Sequence, residues 1–393
     1  MIRVAWNLLW LRPGVVGGSE EYATRQLRAL TALAADRVDV TAFVLEPFAA
    51  AHPELARDVR CVVAPIDGAN KAQRVAYETS WLAARTRRGF DVVHHLGGRI
   101  PTLASSPRVV TVHDLQPLEH PENFSFVKRA FLARAIPRSV RRAQVVLTPS
   151  EHVRRRVLVH FPLDPALVRA CPAPLLPRAA APGTAVEPEG ADLTGVAGAA
   201  PAADPALAEL LRGERPYVVY PAITYTHKNH GVLLDAFARV RGAVPDARLV
   251  LLGGTGGAEA AVAARCAAPD LAGAVLRPGR VPRAVLDALV ERARVLAFPS
   301  RYEGFGLPVV EALAAGCPVV AADVDALREV LGGDGVLVGP DDVAGWTTAL
   351  AGALQAPRDD TTRAGVARRT MDRYAPGRTV ATLVDAYRDA AGW

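Results

Sequence analysis

Glu303 and Glu311 stand eight residues apart in the stretch of this sequence best suited to hold a ligand. The apolar run Val295-Leu296-Ala297-Phe298 reads as a strand that stops at Pro299-Ser300. Gly304 and Gly306 then punctuate a loop. Pro308 suits an early helical position whose N–H is not needed, and Gly316 with Pro318 closes the helix. A glycine loop entering a helix presents unpaired N–H groups and a positive dipole end, which fit a diphosphate or sugar hydroxyls held close to backbone. Glu303 falls in the loop and Glu311 on the first helical turn, so both can face one crevice. Carboxylates there would repel phosphate and instead suit hydrogen bonds from sugar or ribose hydroxyls. Spacing alone also allows a plain surface loop with two acids near a helix start.

Other candidates lie at similar strand-to-helix steps. Lys228 is one of only three lysines, with Lys71 and Lys128. It follows one apolar run and precedes a helical one, with Asn229 placed to cap that helix. A phosphate there would meet the lysine charge and the helix N–H groups together. In the first half, Gly17-Gly18-Ser19-Glu20-Glu21 follows the first strand and opens a helix. It is not G-x-G-x-x-G, and two acids in its first turn disfavour a pyrophosphate. His113-Asp114 ends another strand, where on residue types alone such a pair is as often structural as functional. His94 and His95 end the preceding strand, lining the crevice on one reading and packing on the other.

The elements that must position these groups alternate in type. Strands are expected at 2–10, 38–45, 59–64, 91–95, 109–113 and 145–149, then at 217–222, 248–252, 275–277, 295–298, 318–321 and 335–338. Helical periodicity fills most intervals, including 19–34, 69–88, 125–142 and 151–160, then 229–241, 258–267, 283–292, 308–315, 341–353 and 363–374. A last helix is expected at 377–390. This is the α/β pattern of two doubly wound, Rossmann-like parallel sheets, whose ligands sit at the carboxyl ends of the strands. We expect one domain at 1–172, joined by the helix 377–393, and a second at 216–376. The Ala/Pro/Gly-rich stretch 173–215 reads as a linker or a disordered insertion.

Composition narrows the class. At 393 residues, half apolar and 22% charged, the chain can bury two cores. No apolar run is long enough to span a bilayer, and the N-terminus reads as a strand, not a signal peptide. Cys61, Cys171, Cys266 and Cys317 are widely spaced, so neither a structural metal nor a disulfide framework is expected, and a cytoplasmic protein is. The net charge of +6 comes almost wholly from arginine and, with the alanine excess, fits a high-GC bacterial genome. The densest basic stretch is Lys128, Arg129, Arg134, Arg138, Arg141, Arg142, then Arg154-Arg155-Arg156. It lacks the interleaved aromatics of a nucleic-acid platform. A solvated helix face is the first reading; a surface for an anionic acceptor or an acidic membrane is the second.

The run Phe298-Pro299-Ser300-Arg301-Tyr302-Glu303-Gly304-Phe305-Gly306-Leu307-Pro308-Val309-Val310-Glu311-Ala312-Leu313-Ala314-Ala315-Gly316-Cys317-Pro318 resembles the signature of the retaining glycosyltransferases of family four. That resemblance implies a GT-B fold, two Rossmann-like domains facing a central cleft, with the C-terminal helix crossing back to the first domain. It implies that Glu303 and the amides of Gly304, Phe305, Gly306 and Leu307 hold donor sugar and phosphate, and that Glu311 binds the ribose. Pro221-Ala222-Ile223-Thr224-Tyr225-Thr226-His227-Lys228 resembles the family loop whose lysine contacts the diphosphate, drawing Thr224 and His227 into the donor site. Many members carry arginine where this chain has Ile223, so a second cation is missing or comes from His227 or Arg301. Arg280 and Val281 match the loop near the base. Gly17 and Gly18 match the glycine loop against phosphate and acceptor, and His113 the histidine that reaches the donor sugar. Gly18, His94, His95 and Asp114 are then the acceptor-side candidates.

The implied reaction moves a hexosyl unit from a nucleoside diphosphate sugar to a hydroxyl of a glycan or small-molecule acceptor. It needs no metal and no cofactor beyond that co-substrate. A sugar phosphorylase or nucleotide-sugar epimerase on the same scaffold, or a non-catalytic nucleotide-sugar-binding partner, are the alternatives. A nicotinamide oxidoreductase is disfavoured by the absent G-x-G-x-x-G.

Overall fold

A computed structural model describes residues 1–15, 17–104, 107–176, 205–213 and 215–393. The chain divides into two compact units: Met1–Leu176 with Tyr374–Trp393, and Pro177–Arg373, the latter described from Pro205 onward. Most of the expected linker, 177–204 and 214, lies outside the described residues. Within its described part, Pro205–Leu211 is a helix that buries Leu207, Leu210 and Leu211.

The first unit holds seven parallel strands: β1 (Ile2–Asn7), β2 (Val38–Leu45), β3 (Arg60–Ala64), β4 (Val92–His95), β5 (Arg108–Thr111), β6 (Val145–Thr148) and β7 (Val168–Ala170). Their order is β3-β2-β1-β4-β5-β6-β7. The chain therefore reverses its winding direction between β1 and β4, where loops leave the sheet in opposite directions and open a crevice. The strands are almost continuously apolar because helices cover both faces, as parallel sheets require. One of those helices is the last, Pro376–Ala391, which belongs to this first unit as the resemblance implied. Its Val380, Leu383, Val384 and Tyr387 share a core with Ile2, Val4, Trp6 and Val92. Tyr387 anchors it: the Trp6 indole N–H donates to its hydroxyl at 2.9 Å, and that hydroxyl meets His94 Nδ1 at 2.9 Å.

The second unit holds six parallel strands: β8 (Tyr217–Pro221), β9 (Arg248–Leu252), β10 (Val275–Gly279), β11 (Val295–Phe298), β12 (Val319–Ala322) and β13 (Val336–Val338). Their order, β10-β9-β8-β11-β12-β13, places the winding reversal between β8 and β11. Lys228 lies on the loop after β8, and Glu303 on the loop after β11.

Several ends differ from expectation for local reasons. The first strand stops at Asn7, whose side-chain oxygen accepts from Leu9 N–H and turns the chain. The expected helix 69–88 is interrupted by a π-helical turn, Glu78–Leu82. Short helices Glu46–Ala51, Pro53–Asp58 and Asp325–Leu331 occupy intervals between strands to which no element was assigned.

Candidate active site

In the second unit the glycine loop is held open by its neighbours. Gly306 has φ 100°, and a side chain there would start 2.7 Å from Leu327 Cδ2, so only glycine fits. The helix begins at Leu307, with Pro308 next, and ends at Ala314. Glu311 is thus its fifth residue, one place beyond the first turn expected for it. Ser300 is fully buried, and its one hydroxyl proton is shared between the carbonyls of Tyr302 (3.1 Å) and His227 (3.3 Å). The Arg301 N–H donates to that same His227 carbonyl at 2.8 Å. These bonds stitch the loop after β11 to the loop after β8.

The stitched loops bring Lys228 and Glu303 together. Lys228 Nζ lies 2.5 Å from Glu303 Oε1, with both side chains mostly shielded from water. The Tyr220 hydroxyl donates to the Lys228 carbonyl at 2.6 Å, and the ammonium also sits 5.6 Å from the Phe298 ring centre. The helix after Lys228 starts differently from expectation. Asn229 is left-handed (φ 58°), and its amide donates to the Pro340 carbonyl at 2.7 Å, so the side chain does not cap the helix. Asparagine tolerates that backbone at small cost. His230, buried just behind, has its pKa pushed down to about 4 by burial and then by the Lys228 charge.

Other candidates are committed to partners of their own. Thr224 is buried, with its hydroxyl donating to Glu259 (2.8 Å) and accepting from Gly256 N–H (2.7 Å). It braces the loop beneath the candidate site. Glu311 pairs with Arg283 at 2.8 Å, a partner the sequence reading missed. Arg301, offered as a substitute cation for the position of Ile223, pairs with Asp341 at 2.5 Å. His227 lies parallel to Tyr225 with ring centres 5.7 Å apart. Gly253 packs on the Ala222 carbonyl too closely for any side chain, and Arg280 lies against Gly254 beside it, with Val281 following.

The first unit presents a different edge. His113 Nε2 donates to the Leu96 carbonyl at 2.8 Å, which leaves Nδ1 as a hydrogen-bond acceptor. Packing against Tyr22 and Trp10 (ring centres 5.0 and 5.9 Å away) pushes its pKa down to about 4, so the ring is neutral near pH 7. Asp114 caps the turn that follows, accepting from Gln116 N–H at 3.0 Å. Gly17 and Gly18 open the helix Gly18–Ala34. The acids beside them turn away, Glu20 to Gly14 N–H and His52 (both 2.9 Å), and Glu21 to Arg25 (2.7 Å).

His94 and His95, the other acceptor-side candidates, lie in the core of the first unit. His94 is fully buried, with Nδ1 on the Tyr387 hydroxyl and Nε2 on Thr111 Oγ1 at 2.8 Å, leaving no ring nitrogen for a ligand. His95 is equally buried, with Nδ1 facing Asn7 Nδ2 at 3.3 Å and its pKa pushed to about 3 by burial. Both are core residues, on the packing reading. Asp323 and Asp325, a D-x-D spacing the sequence reading passed over, are both held by Arg328, at 2.5 and 2.9 Å. Among the described residues no group of three or more His, Cys, Asp or Glu is arranged to hold a metal ion.

Residues 215–356 match the family described as glycosyl transferases group 1, and residues 16–174 match glycosyltransferase family 4. The chain belongs to these glycosyltransferases. An O-antigen chain mannosyltransferase B from Escherichia coli is 28% identical over 263 residues, 65% of this chain and 62% of the relative. A phosphatidyl-myo-inositol mannosyltransferase from Mycolicibacterium smegmatis is 38% identical over 149 residues, 37% of each chain. The chain therefore spans less than two thirds of the length of these curated relatives. Among solved structures, a sucrose-phosphate synthase from Thermosynechococcus elongatus aligns over 99% of this chain and 98% of its own, at TM-score 0.69 and 17% identity. A glycosyltransferase from Rickettsia africae aligns over 99% and 98%, at TM-score 0.68 and 13% identity. These likenesses establish the shared two-unit fold.

Proposed function

We propose that the chain is a retaining glycosyltransferase that moves a hexosyl unit from a nucleoside diphosphate sugar to an acceptor hydroxyl. The observation that carries this reading is the Lys228–Glu303 pair at the winding reversal of the second sheet, beside the N-terminus of the helix Leu307–Ala314. A donor diphosphate would draw Lys228 to itself, and the amides of Gly304, Phe305, Gly306 and Leu307 would add N–H groups at the helix's positive end. Glu303, released from the ammonium, would accept from the donor-sugar hydroxyls. Glu311 would take the ribose, with Arg283 holding its carboxylate in place. Val281 and Arg280 bound the side assigned to the base.

Chemistry in this reading is a front-face substitution without a metal. The bond from the sugar's anomeric carbon to the diphosphate oxygen breaks as the acceptor oxygen bonds to the same face. The departing diphosphate carries the electron pair and takes the acceptor proton. Lys228 and the helix N–H groups stabilise the developing negative charge in a preorganised site. His113 Nδ1, an acceptor at neutral pH, suits a hydroxyl of the donor sugar, while Gly17, Gly18 and Asp114 remain the acceptor-side assignments. A glycan or a small molecule would supply the acceptor hydroxyl. A cytoplasmic location fits the four free cysteines.

The test is transfer from a panel of nucleoside diphosphate sugars, with the anomeric configuration of the product read by NMR. Wild-type protein should give a product of retained configuration. Lys228→Ala and Glu303→Ala should each lose about 100- to 1000-fold in kcat while remaining folded. An inverted product, or near-normal turnover in either variant, would refute the assignment.

A further inference from the structure

The basic stretch of the first unit separates into two parts once its contacts are known. Arg154 pairs with Glu151 (2.8 Å) and Arg156 with Glu119 (2.6 Å), so that part is tied into the fold. The helix Phe126–Arg142 is different: it carries six basic residues and no acid. Arg134, Arg138 and Arg141 are exposed and meet no carboxylate among the described residues.

Helical spacing orders this surface. Val127, Phe131, Arg134, Arg138 and Arg141 recur every three or four residues and so form one stripe. Ile136, Ser139 and Val140 mark the opposite, buried side. The stripe faces outward, apolar at its N-terminal end and cationic at the other. Val127 is 77% exposed, the neighbouring Phe126 73% and Phe131 44%. At the far end Arg142 donates to the carbonyls of Pro101, Thr102 and Ala104, fixing the exposed Leu103 beside the helix.

We propose that the outward face of the helix Phe126–Arg142 docks on an anionic lipid bilayer. Val127 and Phe131 would enter the acyl boundary, and Arg134, Arg138 and Arg141 would lie over the headgroups. Two chemistries side by side on one face, large apolar groups and guanidinium groups that meet no carboxylate, match an interface that is apolar below and anionic above. A nucleic acid would use the arginines, but Phe131 is the one aromatic residue on that stripe, short of the row of rings on which successive bases stack, and Val127 would stay in water. A second copy of the same face brings like charges together with no acid to meet them. Among the described residues no helix is long and apolar enough to cross a membrane, so the contact is superficial.

Co-sedimentation of the full chain with phosphatidylcholine vesicles, with and without phosphatidylglycerol, tests this. Wild-type protein should pellet only with the anionic vesicles, and less so as salt rises. The triple variant Arg134→Glu, Arg138→Glu, Arg141→Glu should lose about 100-fold or more in partitioning. Val127→Ser with Phe131→Ser should weaken binding without removing its salt dependence. All of these positions are on the outward stripe, so thermal unfolding should match wild type and show that the variants fold. No wild-type binding to anionic vesicles, or unchanged binding in the charge-reversed variant, would overturn the proposal. So would a concentration-dependent dimer abolished by Phe131→Ser, or DNA displacing vesicles while Val127→Ser and Phe131→Ser have no effect.

Discussion

At the carboxyl edge of the first sheet the histidines are packed and uncharged. His113 gives its one ring proton to a backbone carbonyl, and His94 is locked between Tyr387 and Thr111. At the same edge of the second sheet the functional groups are ion pairs, Lys228 with Glu303 and Arg283 with Glu311. Both edges flank a winding reversal of the same topology, so the fold does not explain the contrast. The chemistry does. A neutral edge offers directional hydrogen bonds to hydroxyls, whereas an edge of paired charges can exchange its internal partners for a phosphate and a sugar. The second edge is the one suited to a charged donor.

Acid should separate the two edges most strongly. In the first unit burial pushes His95 to about 3, His113 to about 4, and His94 well below its ordinary value. In the second unit His230 is similarly lowered, to about 4. A histidine whose folded pKa is depressed contributes stability that is complete above its unfolded pKa near 6.5 and is lost as pH falls towards the folded value. Each such histidine costs up to about 1.4 kcal/mol per pH unit in that window. With three against one, hydrogen exchange between pH 6.5 and 4 should show β1, β4 and β5 losing protection before β8 and β11. Loss in the opposite order would break the comparison.

A smaller effect sharpens the second edge. Glu311→Ala should weaken binding of a nucleoside diphosphate about tenfold and leave inorganic diphosphate unaffected, as read by titration calorimetry. Equal weakening of both would move Glu311 from the ribose to the phosphates. Smaller still, Tyr387→Phe removes the hydroxyl shared by the Trp6 indole and His94. It should cost about 1–3 kcal/mol, because two buried groups lose their partner. Chemical unfolding followed at the first unit checks this, and an unchanged midpoint would show that the helix Pro376–Ala391 is held by apolar packing alone.

Much of the second edge was legible because its signals are local. A strand, two glycines, a proline and a closing glycine fall within about twenty residues in Val295–Gly316, and each restricts the backbone by its own stereochemistry. The same locality made the strands readable as apolar runs. What escaped depends on partners distant in the chain. Burial of His94 follows from Tyr387, 293 residues further on, and the left-handed Asn229 is held by the Pro340 carbonyl, 111 residues away. Arg283, the first residue of the helix Arg283–Arg292, reaches Glu311 in the helix Leu307–Ala314, a pairing between two helices that no periodicity encodes. The three-residue β7 is too short for alternation or apolar content to mark it, and its strand character comes from pairing with β6.

The central claim is that the second edge reads a diphosphate through Lys228. Thermal shift across a panel of nucleotides, run on wild-type protein and on Lys228→Ala, tests it most directly. At least one nucleoside diphosphate should raise the wild-type Tm by binding only the folded state. The matching monophosphate should raise it less, and the shift should vanish in Lys228→Ala. A shift of equal size in that variant, or no shift with any nucleoside diphosphate, would contradict the account.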